Sequence, residues 1–403
     1  MSKLMSNGQI LEREPLQGVA FLRLAFRPFF LLGALFSMLS ISLWGAVVTG
    51  NLEISLYGGG LWWHVHEMLF GFVCAIAVGF LLTAVQTWTG IAGIKGTPLL
   101  LLVGLWLLGR VLMFFSAVLP GWTIALVDVL FLPIAAAVLA APIVKVRQWR
   151  NIVFLPVLLL MTAANCLMHW AVLGADPGLQ LLAGNAMVLL VTLLMTIVAG
   201  RVVPMFTANG TKTERVPPLP WVENACIPVM ALALLAGVIQ QNLPTELVAA
   251  IFLLAASVHG LRVLRWRLWV TLRTPLVWSL HLSYWSIPLG LLLFGLSQVS
   301  AGVSQTQAIH TLTVGGMGMM ILAMISRVSL GHTGREIVVG RVMTGAFLAM
   351  YTAFLVRVFG VYLLSSYSQL LIIAVCLWLV AYGCFVVLYL PVLGRSRIDG
   401  RPG

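Results

Sequence analysis

The chain has 403 residues, of which 61% are hydrophobic and 8% charged, with a net charge of +12 and a mean hydropathy of +1.06. Soluble domains carry about a quarter charged residues, so a water-soluble fold is excluded. The basic residues fall in short clusters between apolar runs, a pattern that orients membrane helices and excludes a groove for nucleic-acid phosphates.

Residues 1–25 hold Glu12, Arg13, Glu14 and Pro15 and lack the basic start, apolar centre and small-residue cleavage site of a signal peptide, so they read as a cytoplasmic lead-in. A bilayer-crossing helix needs about twenty apolar residues. Residues 26–392 supply twelve such stretches: Phe29–Val48, Trp63–Val85, Pro98–Val118, Trp122–Val144, Val153–Val172, Leu179–Ala199, Trp221–Ile239, Glu246–Leu264, Leu276–Leu296, Gln305–Ile325, Val342–Leu363 and Leu370–Leu390. Residues 393–403 form a tail. The expected fold is an all-α polytopic membrane protein. Loops around Arg150, Lys212, Arg262 to Arg273 and Arg327 to Arg341 are basic, and the loops between them lack Lys and Arg. Positive loops stay inside, which puts both termini in the cytoplasm. The second, sixth and tenth stretches end similarly, in Gly79-Phe-Leu-Leu, Gly200-Arg-Val-Val-Pro and Ser326-Arg-Val-Ser-Leu. That weak echo suggests three four-helix units.

Ionisable residues inside spans are costly and mark function by default. Taken in order, His64, His66 and Glu67 open the second span, Arg110 lies late in the third, Asp128 early in the fourth and His169 late in the fifth. His310 opens the tenth, and Arg357 lies late in the eleventh. Alternation of helix direction puts all of these on the periplasmic side. His259, His281 and His332 lie nearer the cytoplasm. On a regular helix His64 and His66 point about 200° apart, so they serve different sites unless the segment is bent. An interfacial belt with Trp62 and Trp63 is the plainer alternative. His310 shares a face with Met317 and Met324, while Gly315, Gly316 and Gly318 leave room for another helix or a flat macrocycle. His64 or His66 facing His310 would suit the axial positions of a b-type haem, with Arg110 and Arg357 as propionate partners. Paired instead, each arginine would neutralise Glu67 or Asp128. His64, His66, Glu67, His169, His281 and His332 are the candidate metal ligands, since neutral imidazole is the commonest ligand for transition metals. The five cysteines lie in apolar runs without metal-ligand spacing.

Four segments carry a resemblance: Arg27-Pro-Phe-Phe30, Trp63-His-Val-His-Glu-Met-Leu-Phe-Gly71, Gly200-Arg-Val-Val-Pro204 and Gly331-His-Thr-Gly-Arg335. Together they resemble the NnrS family over nearly the whole chain. The resemblance implies a haem- and copper-containing inner-membrane protein of the nitric oxide response in denitrifying or NO-exposed bacteria. Twelve spans with histidine on the second and tenth also resemble the catalytic subunit of haem-copper oxidases and NO reductases, where those spans hold low-spin haem. The sixth and seventh spans, which carry further metal ligands in those enzymes, have no histidine here. The implied function is binding or redox processing of nitric oxide or a related small molecule, or protection from nitrosative stress, as an oxidoreductase or a binding protein, with an unidentified electron donor. A transporter for a metal or nitrogen species is the competing reading.

Overall fold

The computed structural model describes residues 5, 6, 9, 10 and 19–400. The charged residues of the lead-in, Glu12 to Glu14, lie outside the described residues. Met5–Ser6 pairs with Gln9–Ile10 as a two-residue antiparallel ribbon, and from Ala20 onward all regular structure is helical. The twelve principal helices are α1 Phe26–Val48, α2 Gly60–Thr89, α3 Gly96–Leu112, α4 Gly121–Lys145, α5 Trp149–Leu173, α6 Pro177–Thr211, α7 Pro220–Val238, α8 Thr245–Leu264, α9 Pro275–Val299, α10 Gln305–His332, α11 Arg341–Tyr362 and α12 Tyr367–Gly394. Among the described residues, all but α3 are long and apolar enough to cross a bilayer by themselves, and α3 is a shorter apolar helix of 17 residues. The chain is therefore an all-α multi-pass membrane protein.

Three boundaries differ most from the expected ones, the simplest being α10, which runs on from Ile325 to His332. α3 stops at Leu112 rather than Val118 because the following carbonyl, that of Met113, accepts the Tyr57 N–H at 3.4 Å, and the apolar residues beyond it turn over the bundle end. α6 runs to Thr211, roughly three turns past Ala199. Those turns stay protein-packed, with Val203 and Thr207 buried. Hydropathy alone does not see such packing.

The apolar surface is spread unequally. α6, α2 and α10 are the most enclosed helices, with 83%, 78% and 72% of their most apolar stretches buried. They recur every fourth helix, in step with the echo between their ends. Small residues let them touch: a Cβ on Gly184 of α6 would meet Val65 of α2 at 3.1 Å, and one on Gly316 of α10 would meet Met195 of α6 at 3.6 Å. α3 and α12 lie at the perimeter, and Leu100, Leu101, Val380 and Val387 face outward, where lipid tails are as apolar as they are. An even helix count returns both chain ends to one end of the bundle. There the buried Arg27 donates Nη1 to the carbonyls of Leu393 and Arg395, both at 2.7 Å, tying α1 to the close of α12. We call this the terminal end and the opposite one the far end.

Two helices change pitch at the far end. α2 is a π-helix over Glu67–Val73, directly after His66, and α10 is a π-helix over Thr311–Gly318, directly after His310. A π turn disturbs the regular i−4 ladder, and such turns gather at functional sites. In each, a carbonyl takes a side-chain donor from another helix. Trp106 Nε1 donates to Gly71 O at 2.8 Å, and Tyr382 Oη donates to Gly318 O at 2.8 Å.

Candidate functional site

The first cluster is built at the far end from α2 to α5. Gly58 and Gly59 hold φ values of +72° and +82°, and a Cβ on Gly58 would run into the Trp62 ring; a left-handed backbone of this kind favours glycine. This turn starts α2 so that Trp62 stacks on His66, with centroids 4.4 Å apart, and donates Nε1 to Met168 O at 2.9 Å. His66 is fully buried. Its Nδ1 lies 2.8 Å from Glu67 Oε1, and its Nε2 lies 2.9 Å from Asn165 Oδ1 and 3.2 Å from Asp128 Oδ2. His169 puts Nε2 3.0 Å from the same Asp128 oxygen and Nδ1 3.3 Å from Tyr57 Oη. Asn165 Nδ2 donates to Asp128 Oδ2 at 2.8 Å. Arg110, 4% exposed, pairs with both Glu67 and Asp128. Tyr57, in the loop before α2, is sealed over the cluster, and burial pushes its phenol up to about 12, so it remains a neutral hydroxyl.

His64 goes elsewhere. Its ring stacks on Trp44 of α1, with centroids 4.6 Å apart, and its buried Nδ1 has no hydrogen-bond partner among the described residues. His64 and Arg357 both lie within electrostatic range of His310. α10 begins in a capping box between Ser304 and Gln307, and Gln307 Nε2 donates to Val358 O of α11 at 3.0 Å. These contacts fix the register of the turn that carries His310. Its Nδ1–H donates to Thr306 O at 2.8 Å, leaving Nε2 as a bare lone pair, the state of a metal-ligating histidine. Arg357 Nη2 donates to Tyr367 Oη at 3.3 Å. So His64 and His66, two residues apart, serve different clusters.

A scan against family models matches residues 20–397 to the family described as NnrS protein. The chain belongs to the NnrS family. Membership connects this membrane protein with the nitric oxide response. A search of curated protein sequences finds no match.

The motifs that carried the resemblance sort by position. The Trp63–Gly71 segment of the family builds the two far-end clusters. Arg27 and the Gly331–Arg335 loop meet at the terminal end, where the His332 ring packs on Phe26 with centroids 5.5 Å apart and Arg397 donates to His332 O at 2.9 Å. A hydrogen-bonded Asp399 raises the Arg397 guanidinium above its ordinary value. Gly200 lies beside Arg262, which pairs with Glu223 and donates to Thr196 O at 3.1 Å and Tyr284 Oη at 2.9 Å. His259 Nδ1 is 2.8 Å from that same hydroxyl. His281 Nε2 is 2.8 Å from Thr207 Oγ1. His281 and His332 thus stand apart from the far-end histidines and from each other. A cavity of about 550 Å³ between α8, α9 and α11, lined by Trp285, Ser286, Tyr351 and Phe354 among others, contains no histidine.

Sequence reasoning placed His66, Glu67, Arg110, Asp128 and His169 at one depth but missed Asn165 and Tyr57. The signal for Asn165 was available: it precedes His169 by four residues, on the same face of an apolar helix. The glycines of α10 accommodate other helices. A Cβ on Gly315 would strike Phe354 and Ser286, and one on Gly318 would strike Met350 and Trp378. Arg110 is committed to two carboxylates, so of the two arginines considered for a haem only Arg357 sits with His310.

Proposed function

We propose that this protein binds haem b at the far end between His64 and His310 and uses it to bind or process nitric oxide or a closely related small molecule. The observation that carries the reading is the pair of imidazoles on two enclosed helices. His310 has its outer nitrogen anchored to Thr306 O and its Nε2 bare, and His64 has a buried unpartnered Nδ1. The free nitrogens and the Arg357 guanidinium fit the needs of a haem iron and a propionate. When bound, haem would supply an iron that carries an electron if both imidazoles ligate it, or takes a diatomic ligand if one position stays open.

The residues of the chain set the conditions for that chemistry. Trp44 covers one face of the His64 ring. Gln307 and the Ser304 cap hold the first turn of α10. Arg357 places a positive charge within electrostatic range of both imidazoles. We further infer, from the basic loops at the terminal end, that this end faces the cytoplasm and the haem end the periplasm of an inner membrane. The test is optical: purified protein should show a Soret band whose intensity falls with His64→Ala and His310→Ala, and NO should shift the reduced band. If haem is absent and uptake of a metal or nitrogen species into proteoliposomes is present, the transporter reading replaces this one.

A further inference from the structure

The hydrogen bonding around His66 lacks a cation. Both of its ring nitrogens face acceptor oxygens: Nδ1 faces Glu67 Oε1, and Nε2 faces Asn165 Oδ1 and Asp128 Oδ2. Asn165 must present its oxygen here, because its Nδ2 donates to Asp128. A neutral imidazole has a single N–H, so one nitrogen would aim a lone pair at oxygen in a dry interior. Charge leads to the same place. Glu67 and Asp128 bring two negative charges against one from Arg110, and an uncompensated buried charge is strongly unfavourable.

A proton, on His66 or elsewhere in the cluster, or a metal ion would supply the missing charge. The surroundings of Asp128 favour the metal. Its Oδ2 draws His66 Nε2, His169 Nε2 and Asn165 Nδ2 to within 3.2, 3.0 and 2.8 Å. One carboxylate oxygen has two lone pairs for these three nitrogens, so a proton leaves one N–H short of an acceptor, whereas a metal ion takes both imidazoles as ligands and leaves Asp128 Oδ2 one lone pair for Asn165. We propose that His66 Nε2, His169 Nε2 and Asp128 Oδ2 hold a divalent first-row transition-metal ion, with the Asn165 side-chain oxygen as a further donor. The three ligand atoms lie within 4.8 Å of one another, on α2, α4 and α5, and all three residues are buried. Metal–ligand bonds of about 2.0–2.2 Å place neighbouring ligands roughly 3 Å apart, as the printed separations to Asp128 Oδ2 do.

The metal also settles every remaining ring nitrogen. His66 Nδ1–H donates to Glu67, and His169 Nδ1–H donates to Tyr57 Oη, the outer-shell contacts that fix ligating histidines. Arg110 holds the other oxygen of Asp128 and the same oxygen of Glu67. It acts as a positioning residue. The donor set is nitrogen and oxygen without thiolate, which suits Cu²⁺, Zn²⁺ or Co²⁺ and disfavours Cu⁺ and iron–sulfur clusters. This site stands independently of the haem reading, since it shares no residue with His64 and His310.

The experiment adds Co²⁺ or Cu²⁺ to metal-stripped, detergent-solubilised full-length protein and removes unbound ion by desalting. One ion per chain should be retained, with cobalt ligand-field bands and, for Cu²⁺, EPR hyperfine structure from two nitrogens. Asp128→Asn and His169→Gln should each weaken binding at least tenfold, whereas His281→Ala, outside the far end, should leave the stoichiometry and the cobalt and copper signals unchanged. The wild-type spectra decide the matter even if a variant fails to fold. Failure of the wild type to retain any ion would overturn the proposal in favour of a proton, placed on His66 if nitrogen-15 NMR shows a doubly protonated ring and elsewhere in the cluster if it does not. Ion retention with no nitrogen ligands would overturn it too.

Discussion

The guanidinium of Arg262 occupies the space that a Cβ on Gly200 would need. Bare backbone on α6 therefore lets α8 bring its arginine to Glu223, Thr196 O and Tyr284 together. Gly200→Ala should push the guanidinium off all three. The expected loss is about 3 kcal/mol, the low end for breaking a buried ion pair, because the Glu223 side chain is 29% exposed. Thermal unfolding in detergent reads the loss, and an unchanged midpoint would count against the packing.

Arg110 bridges two buried acids, Glu67 and Asp128. Replacing it alone, as Arg110→Leu, should cost about 3–5 kcal/mol, since two buried carboxylates lose the one arginine that pairs with both. The triple variant with Glu67→Gln and Asp128→Asn should recover most of that loss. Unfolding measured in chelator, so that no metal contributes, compares the two. A triple variant as unstable as the single one would mean that Arg110 acts through packing instead.

The two π segments each rest on one borrowed hydrogen bond. Trp106→Phe should remove the donor to Gly71 O, and Tyr382→Phe the donor to Gly318 O. A buried carbonyl left unpaired costs about 1–3 kcal/mol. Hydrogen exchange should accelerate at residues 67–73 in the first variant and at 311–318 in the second, with little change in the other segment.

The sequence alone shows the twelve helices, because a stretch of about twenty apolar residues needs no tertiary information to be recognised. It also shows depth, since direction alternates from helix to helix; that is why Arg110, Asp128 and His169 can be placed beside Glu67 without coordinates. It does not show rotation about each helix axis. Hydropathy cannot tell that Asn165 turns toward Asp128, or that Gly315 receives Phe354. Nor does it show π turns, whose carbonyls here meet donors distant in sequence, Trp106 and Tyr382. The separation of His64 from His66 is an intermediate case, legible from helical geometry once a helix is assumed.

Sidedness has its own check. Single cysteines placed at Lys212 and Ser365, in a chain without its own cysteines, should differ in labelling by an impermeant thiol reagent added to intact cells. The Ser365 position should react and the Lys212 position should be protected. The reverse pattern would invert the bundle and place the far-end clusters at the cytoplasmic face.

The central claim is that His64 and His310 hold haem. Its most direct measurement is the haem content and absorption spectrum of purified wild type, His64→Ala, His310→Ala and, as a control outside the far end, His281→Ala. The account predicts a Soret band in the wild type and in His281→Ala. It also predicts loss or marked blue-shift of the band in both far-end variants, with partial recovery in excess imidazole. A Soret band of full intensity and unchanged position in His64→Ala and His310→Ala would contradict it.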